Sequence, residues 1–399
     1  MQYTLENSRL TLYMEGRIDT GNAPAWESEI FSVLGTHPGA ELVMDAVGLS
    51  YISSAGLRIL MKLRRQTGKA FPVLNASPEV YDILHVTGFT ELLDVHRRLR
   101  QVATDGCELI GRGGNGAVYR LDPETILKLY NEGTSLEKIA LEKKYATAAF
   151  TAGVPCAIAY DTVQSGHQYG IVFELLNAVT VGKAVHENPG LIPEAGKAMG
   201  ALLRQLHATE LPAGVLPRMT DRMNTWIDYL EKTYLAHSDA ELLRSVLHAI
   251  PERNTLVHAD FHEGNVMRQG NELILIDLDD ISAGHPLYDL MAHYICHVMA
   301  LSTTPETACA TTGMCIEEIQ EMYRYTIQAY LGTEDAQALD IYGQRMQLLS
   351  LFFTLIYLAK GKDSRNLTQA RAQGIIDQIL PMFRQMVPAI LEAVHALAE

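Results

Sequence analysis

The stretch that decides the fold is Leu256–Leu290, LVHADFHEGNVMRQGNELILIDLDDISAGHPLYDL. A short apolar run leads into a polar turn carrying His258, Asp260, His262 and Asn265. A second apolar run, Leu273 to Ile276, delivers Asp277, Asp279 and Asp280. Carboxylates gathered on turns beside β-runs lose solvation and repel one another, so a cation usually accompanies them. Asp260 and Asn265 lie five positions apart on one loop, and Asp277 follows twelve later. Phosphoryl transfer needs such a set: a carboxylate facing the acceptor hydroxyl, and an amide plus a second carboxylate holding Mg²⁺ on nucleotide phosphates.

Upstream, residues 109–130 read LIGRGGNGAVYRLDPETILKLY. Gly111, Gly113 and Gly116 make a G-x-G-x-x-G pattern, whose meaning depends on its neighbours. A dinucleotide fold would follow the glycines with a helix. Here Ala117 to Leu121 reads as a strand, Asp122-Pro123 as a turn, and Ile126 to Tyr130 as a second strand carrying Lys128. That is the hairpin that covers the nucleotide in a kinase lobe, with Lys128 set for the α/β-phosphates. A helix from about Ser135 to Thr151 follows, capped by Ser135 or Thr134. It offers Glu142, with Glu137 as competitor, to orient Lys128. Gly170 to Leu176 reads as a buried strand running into a loop, and backbone groups around Glu174 to Leu176 are expected to meet the adenine edge. From there the pattern is mainly helical, including Ala195 to His207, Met223 to Ala236 and a buried helix over Leu348 to Ala359.

The first hundred residues alternate differently. Leu10 to Met14, Leu42 to Met44 and Phe71 to Leu74 read as strands; Ala23 to Leu34 and the segments after Ser53-Ser54 and from Pro78 read as helices. Either Ser53 or Ser54 is placed to cap its helix. The pattern predicts an α/β domain with one sheet.

Residues 15–23 (EGRIDTGNA), 42–57 (LVMDAVGLSYISSAGL) and 77–95 (SPEVYDILHVTGFTELLDV) resemble the STAS domain of bacterial anti-sigma-factor antagonists. The resemblance makes Ser54 the matching position of that family's phosphorylated serine, although Ser53 stands where phosphorylatable members carry Asp. A phosphate there would meet free N–H groups and the positive end of the helix dipole. Residues 142–156 (EKKYATAAFTAGVPC), 202–208 (LLRQLHA), 258–266 (HADFHEGNV) and 273–290 resemble the aminoglycoside phosphotransferase/choline kinase-like branch of the kinase fold. Ala259 replaces the family's usual Gly, and His285 stands where Asp is common. This resemblance implies that Asp260 serves the acceptor hydroxyl, Asn265 and Asp277 bind Mg²⁺, Lys128 binds phosphate of ATP, and His258 and Asp289 brace the loop. His207 is expected to be a packed core histidine.

The expected architecture is therefore a STAS-like α/β domain over 1–100 and a two-lobed α+β kinase-like domain over 107–399, with an N-lobe to about 176 and a C-lobe from about 177. An apolar fraction of 48% suits globular domains. The net charge of −15 falls almost wholly after residue 100 and argues against nucleic-acid binding. Unpaired cysteine spacings, no evident signal peptide and no membrane-length apolar run point to the cytoplasm. The expected activity is ATP- and Mg²⁺-dependent phosphorylation of a small-molecule hydroxyl, with the STAS-like domain regulating or binding a protein partner. Two alternatives stand beside it: a protein serine kinase acting on a STAS serine in cis or trans, and a nucleotide-sensing regulator of the anti-sigma-antagonist type.

Overall fold

The computed structural model of the protein describes residues 1–360 and 368–398. The chain divides into two compact units, Met1–Val102 and Ala103–Glu399. No helix among the described residues is long and apolar enough to cross a membrane.

The first unit is a five-stranded sheet flanked by helices. Gln2–Glu6 pairs antiparallel with Arg9–Ile18; Glu41–Ile52, Pro72–Ala76 and Asp94–Arg97 then add in parallel, in chain order. In Arg9–Ile18 the residues Leu10, Leu12 and Met14 alternate inward and bury one face, the period of a strand half covered by helices. Two readings of the sequence fell short here. The central strand runs on from Met44 to Ile52, and Gln2–Glu6, exposed along its whole length, is a strand that the reading did not include although Tyr3 and Leu5 alternate with polar residues in it. The helix Ser54–Thr67 buries Leu57, Leu60 and Leu63 and ends at Gly68, whose φ of 69° makes a left-handed cap that glycine adopts at no steric cost.

In the second unit Ala159–Ser165, Gln168–Glu174, Thr125–Tyr130, Gly116–Arg120 and Glu108–Arg112 form consecutive antiparallel neighbours. The helix Leu136–Thr151, capped by Ser135, packs on this sheet through Ile139, against Tyr130 and Ile171. The remainder is mostly helical. Ile192–Ala208 lies against Ile316–Leu331, and two glycines one turn apart set how closely they approach. A Cβ on Gly196 would come within 2.4 Å of Tyr325 Cβ, and one on Gly200 within 2.4 Å of Thr326 O. A small hairpin, Val266–Gln269 with Glu272–Leu275, turns at Gly270 and carries the loops of interest at its two ends.

Filling the close helix approach with Gly200→Val forces the two backbones apart, and overpacking of this kind costs about 1–3 kcal/mol. Calorimetry should show the melting of this unit several degrees lower; an unchanged Tm would mean that the helices separate without loss.

Candidate active site

The glycine turn is built from backbone. Gly113 N–H donates to Gly116 O (2.9 Å), and Asn131 holds the turn through its N–H to Asn115 O (3.0 Å) and its Nδ2 to Gly114 O (2.6 Å). Gly116 is required by packing: a Cβ there would stand 2.1 Å from Leu129 O on the neighbouring strand. Gly113 and Gly114 have open space around them, and Gly111 lies at a register shift in its strand. The turn borders a cleft of about 1050 Å³ whose other walls include Leu129, Asp279, Asp280 and Lys360.

Lys128 points from the middle strand to two carboxylates. Its Nζ lies 2.9 Å from Glu142 Oε1 and also bonds Asp277. Burial opposes its charge, but Asp277 and Glu142 outweigh that and raise its pKa. Glu137 is exposed on the same helix. Glu174 is occupied elsewhere: its N–H donates to Ile158 O (3.0 Å) and its Oε1 accepts from Ile158 N (2.8 Å). Leu175 N–H donates to Glu124 O (2.7 Å), so Leu176 is the one of these three whose N–H no hydrogen bond engages among the described residues.

The loop 258–265 is held from beneath by Asp289. This fully buried carboxylate accepts the N–H groups of His258 (2.8 Å) and Ala259 (2.6 Å), and His207 Nε2 at 3.0 Å. His207 Nδ1 in turn meets Tyr330 OH at 2.8 Å. Burial alone would raise the pKa of Asp289, yet the His207 contact and these donors bring it down. His207 is buried in the core as expected, and there it also links Asp289 to Tyr330 by hydrogen bonds. The ring of His258 braces nothing by hydrogen bonding: both nitrogens lack a partner among the described residues, and burial lowers its pKa. Ala259 adopts φ +65°, the left-handed region that explains why glycine is favoured at this position.

Asp260 and Asn265 meet across the loop, where Asn265 Nδ2 donates to Asp260 O (3.0 Å) and Oδ2 (3.3 Å). That leaves Asn265 Oδ1 with acceptor capacity. Burial would push the Asp260 carboxyl up, but His262, Lys360 and His258 together hold it below the usual carboxylate range. Ile276 N–H donates to Asn265 O (3.0 Å) and so ties this loop to the turn bearing Asp277, which sits at φ +59°.

Beyond Asp277 the carboxylates crowd. Asp279 Oδ2 accepts Asn115 Nδ2 of the glycine turn (2.7 Å), and Asp280 takes Lys360 (2.6 Å) and Arg222 (3.3 Å). Burial, followed by repulsion from Asp277 and Asp280, raises the Asp279 carboxyl well above the ordinary range. The donor set of carboxylates and an amide oxygen suits a hard divalent cation such as Mg²⁺. Among the described residues no group of three or more His, Cys, Asp or Glu side chains could hold a metal ion by itself.

A family model described as the phosphotransferase enzyme family matches residues 106–336, and the STAS domain model matches residues 2–102. The chain belongs to the phosphotransferase enzyme family. Among solved structures, ADP-bound aminoglycoside phosphotransferase APH(2'')-Ib is 13% identical, with 78% of this chain and 99% of that chain covered at a TM-score of 0.50. A choline/ethanolamine kinase family protein from Mesorhizobium loti is 18% identical over 72% and 92%, with a TM-score of 0.45. A putative anti-sigma factor antagonist from Thermotoga maritima is 14% identical over 24% and 84%, with a TM-score of 0.22. None of the curated proteins matches the chain. The phosphotransferase unit thus has the kinase-like fold, and the STAS domain precedes it.

In the STAS domain Ser53 is the helix cap, accepting Gly56 N–H at 3.4 Å, and Ser54 is an exposed residue of the first turn. Sequence reading missed three contributors to the phosphotransferase site. Asn115 was hidden among glycines, Arg222 and Lys360 lie on distant helices, and no local pattern marks any of them. It also missed the pair beneath the loop, Glu263 and His297, both fully buried and 2.7 Å apart. His297 stands on a π-turn, Ile295–Met299, a local distortion that re-aims a helical side chain.

Burial would raise the Glu263 carboxyl, but His297 outweighs it and brings the pKa from 4.5 down to about 2. His297 is raised well above 6.5: burial lowers it, and Glu263 more than compensates. The stability linked to Glu263 is thus complete above pH 4.5 and is lost as the pH falls toward 2. Stability linked to His297 is complete below 6.5 and fades only as the pH rises through its raised value. Glu263→Gln should cost about 3–5 kcal/mol near pH 6, the loss typical of a broken buried pair. Denaturant titrations at stepped pH should show the gap from wild type narrowing below pH 4.5; a gap that stays constant would remove the pair from the acid response.

Proposed function

We propose that the second unit transfers the terminal phosphoryl of ATP to a hydroxyl of a small molecule, with the STAS domain as a regulatory or partner-binding module. The observation that carries the reading is the convergence of Lys128, Glu142 and Asp277 on one side and of Asp260 with Asn265 on the loop tied to Asp277. Gly113 and Gly114 leave room for phosphate oxygens, and Gly111 and Gly116 shape the strands of that turn. Lys128, oriented by Glu142, binds phosphate, and Glu174 to Leu176 border the base. Asn265 Oδ1 and the carboxylate of Asp277 hold Mg²⁺. Bound there, the ion would neutralise charge developing on the phosphates. Asp260 is held ionised at neutral pH, so it accepts a hydrogen bond from the acceptor hydroxyl, aims its oxygen and takes its proton. The remaining work is positioning and electrostatic stabilisation.

A second reading is favoured by one observation, the exposed Ser54 in the first turn of a helix that Ser53 already caps. In that reading the acceptor is a STAS serine.

Incubation with ATP and Mg²⁺, a panel of amino-alcohols and aminoglycosides, and intact-mass measurement of the protein separates the two. Asp260→Asn should lower turnover by about 10²–10⁴-fold, and Asp277→Ala should abolish the Mg²⁺-dependent rate. Mass gained on Ser54 and none on small molecules would favour the second reading. Nucleotide binding without any transfer would leave a sensor and sink both.

A further inference from the structure

Lys360 is the last residue of the helix Ala336–Lys360 and lies beyond the residues that the family model matches. Its ammonium does not reach for water. Its side chain is 20% exposed. Its Nζ bonds Asp280 Oδ2 at 2.6 Å and donates to Ala259 O at 3.3 Å and to Tyr357 OH at 3.3 Å. It also lies 5.0 Å from the centroid of the Tyr357 ring. Burial disfavours a lysine's charge; here Tyr357, Asp280 and Asp260 outweigh it, and the group stays protonated.

Two surroundings meet at this ammonium. It lines the same cleft as the glycine turn, where nucleotide phosphates belong on the functional reading. It also touches the loop at the residue before Asp260, the carboxylate that reading assigns to the acceptor. The transferred phosphoryl must pass between those two places. Of the basic residues lining the cleft, Arg112 and Lys138 are exposed, whereas Lys360 is held in one position by side chain and backbone. Lys128, held by Glu142 and Asp277, is set on that reading for the α/β-phosphates.

We propose that Lys360 is a catalytic cation that contacts the terminal phosphoryl of the bound nucleotide and stabilises it during transfer. The assignment rests on the phosphotransferase reading above. In the step, the bond between the γ-phosphorus and its bridging oxygen breaks, and ADP leaves with the electron pair. A bond forms between that phosphorus and the acceptor oxygen, whose proton passes to Asp260. Lys360 neither gains nor loses a proton.

The test is equilibrium binding of ADP and of the non-hydrolysable analogue AMP-PNP, each with Mg²⁺, to the full chain. Wild type is compared with Lys360→Met, Lys360→Gln and Lys360→Arg. Lys360→Met should weaken AMP-PNP about tenfold, the loss of one charge-assisted hydrogen bond, and leave ADP within about twofold. Lys360→Arg should restore most of the preference. Single-turnover transfer by Lys360→Met should fall further, by about 10²–10³-fold. Lys360→Gln keeps a donor for Ala259 O without the charge, so it carries the same comparison if Lys360→Met does not fold. A merely structural lysine would alter both nucleotides equally or neither, and either result overturns the proposal while the functional reading stands. A wild-type protein that binds neither nucleotide brings down both.

Discussion

The carboxylate of Asp289 is the constraint on which the loop geometry depends. A buried carboxylate without partners is expensive, and this one has three donors: two consecutive backbone N–H groups and the imidazole of His207. The first two fix the backbone at His258 and Ala259, and so hold Ala259 in a left-handed conformation that costs a non-glycine residue roughly 1–2 kcal/mol. That turn aims Asp260 and Asn265 at each other. The third donor ties the loop to Tyr330 on the helix Ile316–Leu331, so the rigidity of the helical core reaches the loop through hydrogen bonds.

Around this fixed loop the charges are distributed unevenly. Asp277 has Lys128, and Asp280 has Lys360 and Arg222, whereas the hydrogen-bond partner of Asp279 among the described residues is the neutral amide of Asn115. Burial, with repulsion from Asp277 and Asp280, pushes the Asp279 carboxyl up, against the downward shift at Asp260. Two carboxyls in one site are thus pushed apart in acidity, a pattern that marks functional sites more often than structural ones.

The parts legible in the sequence share one property: their determinants are neighbours in the chain. The loop 258–265 and the turn after Ile276 are short-range arrangements, as is the glycine turn between two strands. The helix bearing Glu142 carried its own cap and apolar spacing. Where the reading fell short, the reason lay in partners that a local pattern does not show. Gln2–Glu6 buries no side chain and is held in the sheet by pairing with Arg9–Ile18. His207 sits on the buried face of an apolar helix, so its spacing said core, and its polar role depends on Asp289 far along the chain.

By itself the sequence determined two unlike domains and the residues of the loop, hairpin and glycine turn, because period, turn chemistry and motif spacing act over a few residues. Only the tertiary structure decided who partners whom across the site. Lys360 reaches Ala259, Asn115 reaches Asp279, Glu263 finds His297, and Asp289 takes the loop's N–H groups. Such pairs join segments far apart in the chain, so they form once packing has brought those segments together and removed the water that would otherwise satisfy them.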